Sequence, residues 1–121
     1  MSVSTRPPNK DLGKLVISSL NGIIIEDIQH IVWLESGKSG VTIHLTTNKS
    51  HIDYQTSQAE YHTRLVNSNF FLVHESRLVN ITHVKSYHQG EGKTVMNNEA
   101  VIYVAERKRA PFKVHIGERL R

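Results

Sequence analysis

Phe70-Phe71-Leu72-Val73-His74-Glu75-Ser76-Arg77-Leu78-Val79-Asn80 is the stretch that decides the fold. Aromatic and β-branched residues suit a pleated, half-buried surface, so Phe70 to Val73 reads as extended chain. The apolar run stops at His74, polar side chains follow, and Leu78-Val79 return the chain to a core. Ser76 can cap a turn that begins there. Asn80 can close one by bonding to nearby backbone. Ser76 to Asn80 therefore reads as the start of a short turn. On these residues alone, a capped strand-to-turn junction and a ligand-facing polar turn both stand.

Working outward, the strand period recurs. Val41, Ile43 and Leu45 alternate with Thr42, His44 and Thr46, as in a strand with one buried face. Ser50 to Gln55 alternates again through Ile52 and Tyr54. Lys14–Leu20 and His30–Leu34 read as further strands. Asn21-Gly22 between Leu20 and Ile23-Ile24-Ile25 is a strong hairpin signal, with two central residues that tolerate positive φ. Glu26 to Gln29 reads as a turn or one helical turn, and Ser36 to Gly40 as a loop. Thr82–Tyr87 and Lys93–Met96 flank Gln89-Gly90-Glu91-Gly92 as a hairpin. Asn97-Asn98 then turns the chain into Glu99–Val104.

Between these strands the period changes once. Ser57 and Glu60 form a capping box, and Tyr61 and Leu65 share a helical face four residues apart. Asn67 and Asn69 end that helix. The segment from Ala105 to Arg121 is charged like a helix but holds Pro111, which is cheapest in a first turn. No internal repeat is present. The fold class is mainly β, with antiparallel hairpins and short helical segments.

Composition narrows the function. The chain has 121 residues, the length of one domain, and no cysteine. Disulfides, thiolate metal sites and cysteine nucleophiles are excluded. No apolar run approaches the roughly 18 residues of a membrane span, and the first residues hold no signal-peptide core. A cytoplasmic protein is the expectation. Residues 1–13, polar and containing Pro7-Pro8, read as a flexible leader. The remainder, 14–121, reads as one domain.

Catalytic motifs are missing. Gly37-Lys38-Ser39 lacks its partner glycine, since Val32 holds that position. His74-Glu75 has Leu78 where a zinc protease needs its second histidine. The 8 histidines are scattered; His44 and His51 could meet across a hairpin, but an ordinary packing role is the simpler reading. No nucleophile elbow is present, so no enzymatic activity and no cofactor are expected. The net charge is +4. Arg107, Lys108, Arg109, Lys113, Arg119 and Arg121 cluster at the end, opposed there by Glu118 alone. Such an end attracts phosphate, although a solvated helix face would look the same.

The spacing Phe71-x-x-His74-x-Ser76-x-x-Val79-Asn80 resembles the LytTR family of bacterial DNA-binding domains. Support comes from Asp27-Ile28-x-x-Ile31-x-x-Leu34-Glu35, the helix ending near Leu65 and the basic stretch after Ala105. The resemblance covers about Lys14 to Leu120. It implies an elongated fold of antiparallel β-sheets that reads the major groove of double-stranded DNA through loops. It also implies a transcriptional regulator, with a homodimer on repeated half-sites or a partner regulator as further associations. By position, the DNA-facing segments fall at Ser36–Gly40, at Glu75–Arg77 and around Arg107–Arg109. The implied contact residues are Lys38, Ser39, His74, Glu75, Ser76, Arg77, Asn80, Arg107, Lys108 and Arg109.

Two departures accompany the resemblance. Glu75 stands where family members often carry a basic or amide residue. About 13 leader residues stand where a receiver or membrane module usually precedes the domain, so no phosphorylation input is expected within the chain. Glu75 keeps an alternative open: a protein-interaction module of the same fold, docking on another regulator with weakened DNA binding.

Overall fold

The computed structural model describes residues 13–119. The leader lies outside the described residues apart from Gly13, as does Arg121 of the basic end.

Strands β1 (Lys14–Ser19) and β2 (Gly22–Asp27) pair antiparallel as a hairpin. Five more strands form the main sheet: β3 (Ile31–Gly37), β4 (Gly40–Leu45), β5 (Ser50–Asp53), β6 (Phe70–His74) and β7 (Arg77–Asn80), in the order β5-β4-β3-β7-β6. Helix α1 (Gln58–Leu65) lies between β5 and β6 in the chain. Strands β8 (Val84–His88), β9 (Lys93–Met96) and β10 (Val101–Tyr103) make a third sheet, followed by helix α2 (Arg109–Arg119). Every strand pairing is antiparallel.

The main sheet separates two cores. Ile31, Leu34, Ile43, Leu45 and Leu78 pack with Leu15 and Ile17 of β1 and with Tyr61 and Leu65 of α1. Val32, Val73 and Val79 pack with Ile81, Met96, Ile102 and Phe112 of α2. Ile31 and Val32, and likewise Leu78 and Val79, therefore point to opposite cores, as neighbours on a strand do. Each such side chain stabilises the fold by roughly 1.5–3 kcal/mol relative to exposure.

Several sequence expectations need correction. Arg77–Asn80 is strand, not turn: with a core on each face, the neighbours Leu78 and Val79 are both apolar and the alternation is lost. The first hairpin pairs Ser19 with Gly22, so Leu20 and Asn21 form its loop. Asn21 keeps a negative φ, and Gly22 takes φ +143° as the first strand residue. Ser36–Gly40 is less a loop than a hairpin tip, in which only Lys38 and Ser39 leave the ladder. Gly40 has φ +146°, and a Cβ there would lie 2.3 Å from the Asp53 carbonyl oxygen.

In β5 the phase is opposite to the one expected. Ile52 and Tyr54 are exposed, and Asp53 is fully buried. Its Oδ1 accepts from the backbone N–H groups of Gln55 (2.8 Å) and Thr56 (2.9 Å). Its Oδ2 accepts from the Ser18 N–H (3.2 Å) and the Tyr61 hydroxyl. Burial pushes the Asp53 carboxyl up, but the Tyr61 hydroxyl and the Gln55 and Thr56 donors outweigh it and hold it at about 2. Burial and the Asp53 charge push the Tyr61 phenol well above its ordinary range, so it remains a donor. One carboxylate thus ties β1, β5 and α1 together.

The helices follow the sequence more closely. Ser57 caps α1 by accepting from the Glu60 N–H at 3.1 Å. Glu60 does not complete the box; its carboxylate takes Arg64 at 2.6 Å instead. Asn69 ends the segment in the left-handed region, with φ +70°. At the far end, a 3-10 turn over Glu106–Lys108 precedes α2, and Pro111 falls in the first turn of α2.

Candidate nucleic-acid interface

Three connections converge at one end of the main sheet. β3 runs into the Lys38-Ser39 tip, and β7 emerges from the Glu75-Ser76 turn beside it. Glu35 pairs with Arg77 in the β3–β7 register, and the Ser36 N–H donates to the Ser76 carbonyl at 2.9 Å. The third connection, after β10, is held to β6 by the Ala105 N–H donating to the Val73 carbonyl at 2.8 Å. The Lys108 N–H closes that turn on the Ala105 carbonyl at 2.7 Å. A shallow depression between the second and third connections is lined by Leu72, His74, Glu75, Ala105, Arg107 and Lys108.

The His74-x-Ser76 spacing has a local cause. His74 Nδ1 accepts from the Ser76 N–H at 3.1 Å and lies 3.0 Å from the Ser76 hydroxyl. The ring therefore uses Nδ1 as acceptor and keeps its proton on Nε2. The pair fixes a two-residue turn whose tip exposes Glu75. Gln58, at the start of α1, donates to the Glu75 carbonyl at 3.3 Å and holds the turn from the other side.

The expected contact residues differ in how available they are. Lys38, Ser39, Glu75 and Arg107 are exposed, and Arg77 and Lys108 are half-buried, all at this end of the sheet. Among the described residues, Lys38, Arg77, Arg107 and Lys108 form no salt bridge. Their charge is thus available to a ligand. Asn80 is not: it is 2 % exposed, its Nδ2 donates to the Ile31 carbonyl at 2.9 Å, and its Oδ1 accepts from the Thr82 N–H at 3.0 Å. A buried amide with both ends bonded to backbone has a structural task. Arg109 is half-committed. Its Nε donates to the Val104 carbonyl at 3.3 Å, and its guanidinium lies so close to Gly92 that a Cβ there would meet it at 2.2 Å.

The histidines do not assemble. His44 stacks on Trp33 with centroids 4.3 Å apart and bonds Glu35 at 2.8 Å. His51 faces Glu26 at 3.4 Å. Across the β4–β5 ladder, His51 opposes Ile43 while His44 opposes Ser50, so the two imidazoles do not face each other. Among the described residues no group of three or more His, Asp or Glu side chains is arranged to hold a metal. No helix among them is long and apolar enough to cross a membrane.

Sequence reading missed Glu35 and Thr42, which line a second depression with Ser36, Lys38, Ser39 and Ile52. Register would have found them. Arg77, Glu35, Thr42 and Ile52 form one cross-strand row, but that row is visible only once the strand order is known. Glu35 is kept from Arg77 by its bond to His44.

Comparison with known proteins adds a family. The model described as the LytTr DNA-binding domain matches residues 21–117. Among solved structures, one similar chain is the LytTr DNA-binding domain of a Bacillus cereus protein assigned as a methyl-accepting/DNA response regulator. It superposes with a TM-score of 0.71 at 19 % identity, covering 86 % of this chain and 96 % of that one. At that identity the likeness is one of fold. No curated protein matches the chain.

Proposed function

The chain belongs to the LytTr DNA-binding domain family, and from that premise we propose that it is a sequence-specific transcriptional regulator of a bacterial cytoplasm. It reads the major groove through the Lys38-Ser39 tip, the Glu75–Arg77 turn and the Arg107-Lys108 segment. The observation that carries this reading is the convergence of those three connections at one end of the sheet, with four cations that form no salt bridge among the described residues. Loops held by a rigid sheet are suited to such contacts. Lys38 and Lys108 act as point charges on phosphate, while Arg77 and Arg107 can grip guanine O6 and N7 together. Asn80 is left out of the contact set, and Arg109 contributes charge from behind.

Selection against random duplexes, followed by anisotropy titrations at several salt concentrations, tests the proposal. Neutralising roughly five to seven phosphates gives a slope of log K against log salt of about −4.5 to −6. A slope near zero on every duplex would remove the DNA reading. The exposed Glu75 favours a second reading, in which this end of the fold docks on a partner regulator. That reading expects no enriched sequence from the same selection.

A further inference from the structure

The β1–β2 hairpin has two apolar faces where one suffices. Leu15 and Ile17 turn inward to the first core, and Ile24 packs against it. On the opposite face Ile23 is 69 % exposed, Ile25 64 % and Val16 47 %, and Leu20 at the tip is 80 % exposed. Val16 pairs directly with Ile25, and Ser18 with Ile23. These side chains form one strip along the hairpin, amounting to roughly 400 Å² of apolar surface, the size of the largest patch on a typical monomer, which is often functional. The strip is bordered by the Lys14–Asp27 ion pair, which joins the same two strands in register. No other strand among the described residues pairs with this hairpin.

We propose that this face packs on the same face of a second copy, sheet against sheet, about a twofold axis running along the hairpin. Such an axis places each β1 over the partner's β2. Val16 then lies over the partner copy's Ile25, and Ser18 over its Ile23. Lys14 lies over the partner copy's Asp27, and the reverse holds on the other side. The strip is thus self-complementary in both shape and charge. An isologous interface needs this property, because one patch must fit itself. The area, counted on both copies, falls at the low end for specific association, so the dimer is weak in solution. Two copies held on neighbouring DNA sites would form it at a much higher effective concentration.

Sedimentation equilibrium of the full chain without DNA tests this independently of the DNA reading. The wild type is expected to pass from monomer to dimer with a midpoint on the order of 10–100 μM. Ile23→Lys, at an exposed position, weakens association by about tenfold or more. Lys14→Asp alone and Asp27→Lys alone place like charges across the twofold, and each stays monomeric in the same range. Mixed one to one, the two variants restore both cross-copy pairs and associate. A purely intramolecular role for Lys14 and Asp27 cannot produce that complementation. A wild type that stays monomeric throughout, a dimer indifferent to Ile23→Lys, or a mixture that fails to associate would each overturn the proposal.

Discussion

Asp53→Asn separates a structural carboxylate from an incidental one. The wild-type side chain accepts four hydrogen bonds in a fully buried position. Its carboxyl titrates at about 2 in the fold, against an ordinary value of 3.8. That difference corresponds to about 2 kcal/mol of stability at neutral pH. The amide loses this charge contribution. It also turns an NH2 group toward one of the two donor pairs, either Gln55 and Thr56 or Ser18 and Tyr61. Leaving buried donors unmet costs about 1–3 kcal/mol, so the total is roughly 3–5 kcal/mol, a large part of a small domain's stability. Urea unfolding at pH 7 measures it. The sign with pH follows from the lowered value: the contribution is present in full above pH 4 and is lost as pH falls through about 2. The wild type should lose about 2 kcal/mol over that window from this group, and Asp53→Asn should not. A variant costing under about 1 kcal/mol at pH 7, or one that falls with acid as steeply as the wild type, would refute the reasoning.

Other perturbations address the proposed interface. Arg107→Ala should cost about 1–3 kcal/mol on the preferred duplex and relax preference at one base. Lys38→Ala should weaken all duplexes alike; paired titrations on specific and scrambled DNA check both, and an equal loss on the two for Arg107→Ala would remove its base-reading role. Glu75→Gln keeps the shape and removes the charge. It should raise affinity for every duplex, most at low salt, and unchanged affinity with unchanged salt slope would take this turn off the DNA. Asn80→Ala should cost about 1–3 kcal/mol in thermal or urea unfolding by freeing the Ile31 carbonyl and the Thr82 N–H. Its base preference should be intact once the protein is folded, so a changed preference would return Asn80 to the contact set.

What the sequence discloses and what it conceals follow from where the information sits. The Val41–Leu45 alternation and the Ser57 cap are local, and both are found in place. Tertiary contacts override local pattern elsewhere. Leu78-Val79-Asn80 has no alternation because a core lies on each side of β7. In β5, the four donors gathered around Asp53 come from three separate elements, so composition favours Ile52 and Tyr54 as the inward residues when they are the outward ones. The polar turn at Glu75 and the basic segment at Arg107 are both legible. Their adjacency is not, because it depends on Ala105 reaching Val73 across the chain. Asn80 shows the limit of a motif: the residue belongs to the recognised spacing for the sake of the Ile31 carbonyl.

The hydrogen bond from Ser36 to Ser76 sets a fixed gauge between the Lys38-Ser39 tip and the Glu75-Ser76 turn. Neighbouring strands stand about 4.8 Å apart, and neither tip can slide along its strand without breaking the ladder. On the proposed reading, a duplex must therefore present its contacted bases at one set separation. Inserting a single base pair between them adds about 3.4 Å and turns the second contact about the helix axis. A reader on long flexible arms would follow that change. This one would lose the second contact outright, so its operators should vary in sequence at uncontacted positions and hardly at all in the number of base pairs between contacted ones.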